Sequence, residues 1–217
     1  MPSLGEGKPC GCPHWARASL AVALIGRGQA FAPTHIKMIF GQKIRLRAVE
    51  RTDLLNYVKW FDDPEVRDGL SLYLPMGQAN EEQWFENMIK RDRNEQPFAV
   101  DGKKGSKWIH IGSTGFHNLD WRNHSAEFGI VIGDKNFWNH GYGTDTVKTV
   151  LGLGFGELNF DRIFLRVFDT NKRAMRCYEK AGFVHEGRLR RDNFHNGQYR
   201  DTLIMSILRD EWEKMKR

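Results

Sequence analysis

The sequence predicts an α/β fold built on a mixed sheet. Three observations support this prediction: several segments alternate apolar and polar residues, others repeat apolar residues at helical spacing, and a run of strands is followed by the order β-α-β-α-β-β. The chain has 217 residues, of which 40% are hydrophobic and 28% are charged, and this is enough for one buried core. We therefore expect one domain over residues 38–217.

Residues 1–37 differ from the rest of the chain in composition. They are rich in Gly, Pro, Ala and Ser, and no hydrophobic period continues beyond a turn or two. We predict a poorly ordered N-terminal extension. A secretory signal is the alternative, because the apolar residues 20–25 precede a small-x-small sequence at residues 30–32, but Arg27 interrupts the apolar stretch.

Cysteine usage and charge restrict the classes of function. Cys10, Cys12 and Cys177 cannot form a disulfide framework, which favours the cytoplasm, and no second Cys/His pair completes a zinc site beside Cys10 and Cys12. The net charge is +6, but half of it lies in residues 1–37 and no Lys/Arg block follows. No apolar run approaches the roughly 18 residues that span a bilayer. We predict no metal, nucleic-acid or membrane partner.

The first half of the domain is predicted to contain one strand, two helices and a meander. Residues 44–49 alternate as a half-buried strand, and Thr52 and Asp53 are placed to cap the helix that follows. A second helix is expected over residues 80–93. Strands are then expected at residues 98–100, 108–116 and 125–133, forming an antiparallel meander.

The second half alternates helices with strands. In order, the predicted elements are a helix at residues 142–158, a strand at 162–168, a helix at 172–181, and strands at 183–190 and 200–208.

Gly141 and Gly143 lie between a predicted strand and a predicted helix. Two glycines one residue apart let backbone N–H groups converge on an anion at the helix N-terminus. The pattern is typical of a pyrophosphate cradle, although a strand-to-helix turn also uses glycine for geometric reasons. Gly152, Gly154 and Gly156 have near-dinucleotide spacing, but they fall inside the helix and are interpreted as close-packing positions.

The helix at residues 172–181 carries a second pattern. Asn171 can cap its start, and Gly182 can end it in the left-handed conformation. Asn171, Ala174 and Tyr178 recur at helical spacing, so one face shows a small residue between an amide and a phenol. That face either leaves room for a ligand or packs against the core.

Together these segments resemble the GCN5-related N-acetyltransferase (GNAT) superfamily, within the branch that acetylates ribosomal-protein N-termini, polyamines and certain antibiotics. The resemblance covers residues 43–214, with Trp138 standing where the superfamily usually has Gln or Arg. Its motifs are Ala126-Glu127-Phe128-Gly129-Ile130-Val131-Ile132, the glycine loop (residues 138–144), Asn171-x-x-Ala174-x-x-x-Tyr178-x-x-x-Gly182-Phe183, and Asn196-Gly197-Gln198-Tyr199-Arg200-Asp201.

The resemblance implies a mostly antiparallel sheet flanked by helices, whose two central parallel strands splay apart to form an acetyl-CoA cleft. Backbone groups of Ile130, Val131 and Ile132 would pair with the pantetheine amides, and Asn171 would hold the cosubstrate near its thioester. The remaining implied cosubstrate-binding residues are Trp138, Asn139, His140, Gly141, Tyr142, Gly143, Thr144, Ala174 and Lys180, with Lys135, Lys172 and Arg173 as further helpers for the 3′-phosphate.

The resemblance also implies direct transfer of acetyl from acetyl-CoA to an amine in a ternary complex. Tyr178 would protonate the departing thiolate, and Glu127 would act as general base, directly or through water, with His117 and His124 as competitors. Cys177 is predicted to turn away from the Tyr178 face and to have a packing role.

The acceptor is the least determined part of the prediction. A protein N-terminal α-amine is favoured on branch resemblance, with polyamines or aminoglycosides as alternatives, and a non-catalytic acyl-CoA-binding module or a nucleic-acid-binding protein as other classes. A homodimer is left open. The acceptor site is expected near the first two helices, whose acidic and aromatic residues suit a cation: Asp62, Asp63, Glu65, Asp68, Glu81, Glu82, Glu86, Trp60, Tyr73 and Trp84, with Trp121 and Tyr199 in nearby turns.

Overall fold

The computed structural model describes residues 38–216, so the predicted extension at residues 1–37 lies outside the described residues. Eight strands form one sheet. They are β1 (Ile39–Phe40), β2 (Ile44–Ala48), β3 (Phe98–Lys104), β4 (Lys107–Asp120), β5 (Ser125–Ile132), β6 (Arg162–Phe168), β7 (Val184–His195) and β8 (Gln198–Leu208).

The helices connect the strands and cover both faces of the sheet. They are α1 (Leu54–Asp62), α2 (Pro64–Arg67), α3 (Gln78–Met88), α4 (Tyr142–Gly156), α5 (Lys172–Lys180) and α6 (Arg209–Met215). Among these, no helix is long and apolar enough to cross a membrane.

The strand order across the sheet is β1-β2-β3-β4-β5-β6-β8-β7. Within the described residues β5 and β6 are the only parallel neighbours, and every other neighbouring pair is antiparallel. The predicted mixed, mostly antiparallel sheet is therefore confirmed. The β5–β6 ladder has only three pairs, from Ser125 opposite Arg162 to Glu127 opposite Phe164, and the strands then separate.

Two hydrophobic cores lie on opposite faces of the sheet. The larger joins the sheet to α4 and α5 and includes Leu151, Phe155 and Ile163. The smaller joins it to α1 and α3 and includes Tyr57, Trp60 and Phe85. The apolar residues that alternate along the strands thus have a helix layer to pack against on each face.

Several predicted boundaries need correction. Asp53 does not cap α1 with its side chain; it ends a 3-10 turn at Arg51–Asp53, and its carboxylate accepts hydrogen bonds from Arg47 and from the Glu50 backbone N–H. The helix predicted at residues 80–93 begins at Gln78 and ends at Met88, because Asp92 caps a separate 3-10 turn.

The glycines within α4 have different surroundings. A Cβ on Gly154 would lie 2.7 Å from the Ile163 side chain, so close packing explains this glycine. Gly152 and Gly156 have open space around the same position, and the close-packing interpretation is wrong for these two.

Candidate active site

A cavity of about 600 Å³ opens where β5 and β6 separate. Residues of β5 form one wall, α5 and the glycine loop form another, and the chain after α2 adds further lining residues. Since β5 has no β6 partner after Glu127, the backbone of residues 128–132 borders this opening.

The backbone groups of β5 do not all face the cavity. Successive residues of an antiparallel strand turn their N–H and C=O groups to opposite sides. A Cβ on Gly112 of β4 would strike the Val131 carbonyl, so Val131 faces β4. The Ile132 carbonyl faces the other way and accepts a hydrogen bond from Trp138 Nε1 at 2.6 Å. By this alternation Ile130 offers its backbone groups to the cavity.

The glycine loop enters α4 through two left-handed residues. Asn139 has φ 62° and Gly141 has φ 85°. Gly141 is the N-cap of α4 and supplies no side-chain cap, so within residues 38–216 the first N–H groups of the helix have no cap from this residue. Asn139, Gly141, Gly143 and Thr144 line the cavity. This geometry suits an anion, because free N–H groups and the helix dipole point to one place.

His140 and Tyr142 belong to the glycine loop but have contacts outside the anion site. The Tyr142 hydroxyl donates to the Lys103 carbonyl at 2.7 Å, and the His140 carbonyl accepts from Lys43 Nζ at 3.1 Å. Neither residue lines the cavity. The backbone of these two residues remains their predicted contribution to the loop.

Trp138 closes the loop against β5. Its indole N–H donates to the Ile132 carbonyl, and the Arg173 guanidinium lies over its ring, 3.3 Å from the ring centroid. Lys135, predicted as a helper for the 3′-phosphate, is held by Asp63 and Glu65, and the hydrogen bond to Asp63 raises the pKa of its ammonium.

Helix α5 places several predicted residues along one side of the cavity. The Asn171 side chain accepts a hydrogen bond from the Ala174 backbone N–H at 3.1 Å and so caps the helix. Ala174, Tyr178 and Lys180 line the cavity, whereas Lys172 does not. Asn171 also lines the cavity, next to the chain that follows α2.

Cys177 lines the cavity and also packs against the larger core, in agreement with the packing role predicted for it. Thr144 Oγ1 lies 3.4 Å from its sulfur and donates to it. Burial raises the pKa of the Cys177 thiol, which keeps it protonated and poorly nucleophilic.

Tyr178 is buried, with 8% of its surface exposed, and packs edge-on against Phe128. Its hydroxyl forms no hydrogen bond with any side chain or backbone group of the described residues, and the residue lines the cavity. Burial raises the pKa of this phenol above its ordinary value of 10.0. The hydroxyl therefore stays protonated throughout the neutral range and can donate a proton.

Glu127 is also buried, with 6% exposure, and borders the same cavity from the end of the parallel ladder. Asn118 Nδ2 donates to its Oε2 at 2.8 Å. Its Oε1 lies 3.6 Å from both His117 Nε2 and Arg166 Nε. One oxygen is fixed and the other faces two groups of the cavity wall. His124, the other competing base, does not line the cavity.

The acidic and aromatic residues expected at the acceptor site do not line this cavity, and several of the acids are paired or buried. Lys135 binds Asp63 and Glu65, Arg200 binds Asp68, and Arg51 binds Glu86, while Glu81 is buried in the fold. The residues concerned, none of which lines the cavity, are Asp62, Asp63, Glu65, Asp68, Glu81, Glu82, Glu86, Trp60, Tyr73, Trp84, Trp121 and Tyr199.

The structure adds cavity residues that the sequence did not indicate. They come from the chain after α2 and from three strands, and local patterns carry no signal for them because strand pairing brings them together. They include Gly69, Leu70, Ser71, Arg166, Asp192, Asn193 and Thr202.

Comparison with known proteins is consistent with this geometry. The family described as "Acetyltransferase (GNAT) domain" matches residues 43–184. Spermidine N(1)-acetyltransferase of Vibrio cholerae is 30% identical over 180 residues, covering 78% of this chain and 95% of the relative. A putative ribosomal N-acetyltransferase of Bacillus subtilis is 32% identical over 105 residues, covering 48% of this chain and 57% of the relative.

A solved structure of spermidine N-acetyltransferase from Vibrio cholerae, in complex with CoA and spermine, is similar with a TM-score of 0.72 and 27% identity. The match covers 79% of this chain and 98% of that one. The chain belongs to the GNAT acetyltransferase family. It is an acetyl-CoA-dependent N-acetyltransferase that transfers acetyl to an amine, as the resemblance in the sequence predicts.

The residues present fit acetyl-CoA. The uncapped start of α4 suits the pyrophosphate, and the unpaired backbone of Ile130 suits a pantetheine amide. Ala174 leaves space along α5 between these two groups.

Proposed function

We propose that this chain acetylates a primary amine by direct attack in a ternary complex, with Glu127 as general base and Tyr178 as general acid. A protein N-terminal α-amine is the favoured acceptor. The observation that carries the proposal is that a buried carboxylate and a buried, unpartnered phenol border one cavity beside an anion-binding helix start.

Glu127 has the environment that a base for this reaction needs. An alkylammonium has a pKa of about 10.4 and an α-ammonium about 7.7–8.0, so either amine must lose a proton before it attacks. The Asn118 hydrogen bond to Oε2 leaves Oε1 to accept that proton, directly or through water. His117 lies beside Oε1, and half of its side chain is exposed to solvent.

Tyr178 acts at the other end of the reaction. Acetyl-CoA supplies the acetyl thioester, and the departing thiolate, with a conjugate-acid pKa of about 8.5, needs a proton. The Tyr178 hydroxyl holds one at neutral pH, since the ordinary pKa of a phenol is already about 10 and burial raises the pKa of Tyr178 further. Backbone N–H groups of residues 141–144 hold the pyrophosphate, and Ile130 orients the pantetheine.

A polyamine is the second candidate acceptor, and the relatives named as spermidine acetyltransferases favour it. Against it stands the absence of the helical acidic residues from the cavity wall formed by residues 38–216. A peptide is favoured by the relative named as a putative ribosomal N-acetyltransferase. For the place of action we propose the cytoplasm, in keeping with the cysteine usage.

The proposal is tested by the pH dependence of Glu127→Gln. With a peptide acceptor, we expect kcat/KM to fall by about 100-fold at pH 7 and to recover partly above pH 8, where the α-amine is already neutral. The acetyl-CoA KM should stay the same. Initial rates of CoA release from pH 6 to 10 measure both quantities.

Glu82→Gln is the matched control, because Glu82 is an exposed carboxylate on α3 that does not line the cavity. Its pH profile should follow that of the wild type. A loss in Glu127→Gln that is equal at every pH would show that Glu127 is not the base.

A further inference from the structure

The cavity wall contains a buried hydroxyl that the proposed chemistry does not use. Thr202 of β8 is 2% exposed, lines the cavity, and its Oγ1 has no hydrogen-bond partner among residues 38–216. The Tyr57 hydroxyl is also buried, but it lies beside Ser113 in the closed core under α1. A buried hydroxyl without a partner is unfavourable, and at a cavity wall the partner expected for it is a ligand group.

Strand pairing places Thr202 near the reaction centre. Thr202 is opposite Phe168 and Ile204 is opposite Arg166 in the β6–β8 ladder. Residues directly opposite share a face and alternate residues of one strand share it too, so Thr202 and Arg166 project from the same face. A strand spacing near 4.8 Å and a rise near 3.3 Å per residue put them about 8 Å apart.

Arg166 is the cationic group of this face. Its side chain is 56% exposed, lines the cavity and lies 3.6 Å from Glu127 Oε1, too far for a hydrogen bond. Guanidinium offers donors only, and a hydroxyl can donate as well. Arg166 and Thr202 are thus arranged to donate to an oxygen of the acceptor, whereas a second ammonium at the same place would be repelled by Arg166.

The chain after α2 is held in place beside this part of the cavity. Asp68 is held by Arg200 at 2.9 Å and lies 3.5 Å from His195. Gly69 follows directly, and a Cβ there would lie 2.8 Å from Asn171 Nδ2. Because Arg166 Nε lies 3.6 Å from Oε1 of Glu127, the proposed base, an oxygen bound to Arg166 would be only a few bonds from the amine that Glu127 deprotonates.

We propose that Arg166 and Thr202 bind the carbonyl or carboxylate oxygen next to the reacting amine, so that the acceptor is an α-amino acid unit and not a polyamine. The inference rests on the proposed function and adds the residues that select the acceptor. A peptide N-terminus and a free amino acid both offer this chemistry. Asp192, an exposed carboxylate of β7 that also lines the cavity, is the group that a distal ammonium would use instead.

The test compares four acceptors at saturating acetyl-CoA: an alanyl peptide, free alanine, propylamine and spermidine. We expect kcat/KM for the peptide or alanine to exceed that for propylamine and spermidine at least tenfold, and the better of the two identifies the source of the oxygen. Thr202→Val should lower kcat/KM for the better of these two acceptors about tenfold without changing the rate with propylamine. Arg166→Gln should lower the same kcat/KM by 10- to 100-fold and raise the rate with spermidine.

Two measurements separate selection from a structural role. Arg162 lies on the same strand as Arg166, pairs with Glu186 and does not line the cavity. The rates of the Arg162→Gln variant should equal those of the wild type. Thr202→Val should leave the melting temperature unchanged or raise it, because the lost hydroxyl has no partner in the described residues. A structural role would lower the melting temperature.

Three outcomes would overturn the inference. One is a preference for spermidine that Asp192→Asn removes. Another is an equal loss with all four acceptors in Thr202→Val and Arg166→Gln. The third is an absence of CoA release with every amine although acetyl-CoA binds, and that result would overturn the proposed function as well.

Discussion

Two regions of the sheet treat buried polar groups differently. Beneath α1, Arg47 donates to both oxygens of Asp53 at 2.7 and 2.8 Å and also contacts Asp101, which Arg45 binds at 2.9 Å. His110 lies 3.2 Å from Asp53. We call these five residues the ion network. In the cavity, by contrast, the Thr202 hydroxyl has no partner among the described residues, and the start of α4 has no side-chain cap from its N-cap residue.

The difference indicates which polar groups serve folding and which serve a ligand. In the ion network each carboxylate is bound, and burial, which alone would raise the pKa of Asp53, is outweighed by the hydrogen bonds from Arg47 and Glu50, so that this pKa is lowered. Unpaired groups in the cavity cost the free protein about 1–3 kcal/mol each when they are buried. Such groups are tolerated where a bound molecule satisfies them.

The largest expected effect comes from breaking the ion network. Arg47→Met leaves Asp53 and Asp101 without their shared partner, and we expect the free energy of unfolding to fall by about 3–5 kcal/mol. Urea denaturation at pH 7 measures this change.

Arg166→Met is the matched variant in the cavity. Arg166 is more than half exposed and has no hydrogen bond within the described part of the chain, so its removal should change the free energy of unfolding by less than about 1 kcal/mol. Equal losses in the two variants would show that the two regions do not differ.

A smaller free-energy change is expected from Tyr178→Phe. It affects the activation free energy of the reaction and not the free energy of unfolding. Loss of the general acid should lower kcat by about 100-fold, which corresponds to about 2.7 kcal/mol, and leave the acetyl-CoA KM unchanged. Tyr57→Phe removes a buried hydroxyl from the core under α1 and should keep the wild-type kcat. A similar kcat in the two variants would exclude Tyr178 as the acid.

The sequence predicted best those parts whose signals are local. Strand β6 is found over Arg162–Phe168 as predicted, because Ile163, Leu165 and Val167 alternate toward the larger core. Helix α2 was missed because Pro64–Arg67 is too short to show a helical period, although Asp63 before Pro64 is a typical helix start.

The residues of the candidate site also differ in whether their sequence signals are local. The glycine loop and α5 are continuous segments, so their residues could be named from the sequence. Thr202 and Arg166 lie on different strands, and only the register that puts Thr202 opposite Phe168 reveals that they share a face. The acidic residues of the first helices were assigned to the acceptor because a sequence shows charges without their partners, and Lys135 and Arg200 bind several of them.

The smallest effect tests the helix start, where the cavity depends on backbone and not on side chains. Gly141→Ala places a Cβ on a residue with φ 85°, and Gly105→Ala does the same at φ 61° in the β3–β4 turn, away from the cavity. Both should lower stability by about 1–2 kcal/mol, because the left-handed conformation disfavours Ala. Gly141→Ala should in addition raise the acetyl-CoA KM by roughly tenfold, about 1.4 kcal/mol, because a shift of the loop separates N–H groups that converge on the anion. Thermal unfolding and CoA-release kinetics on the two variants provide the comparison. An unchanged KM in Gly141→Ala at equal loss of stability would mean that the loop does not hold the pyrophosphate through its backbone.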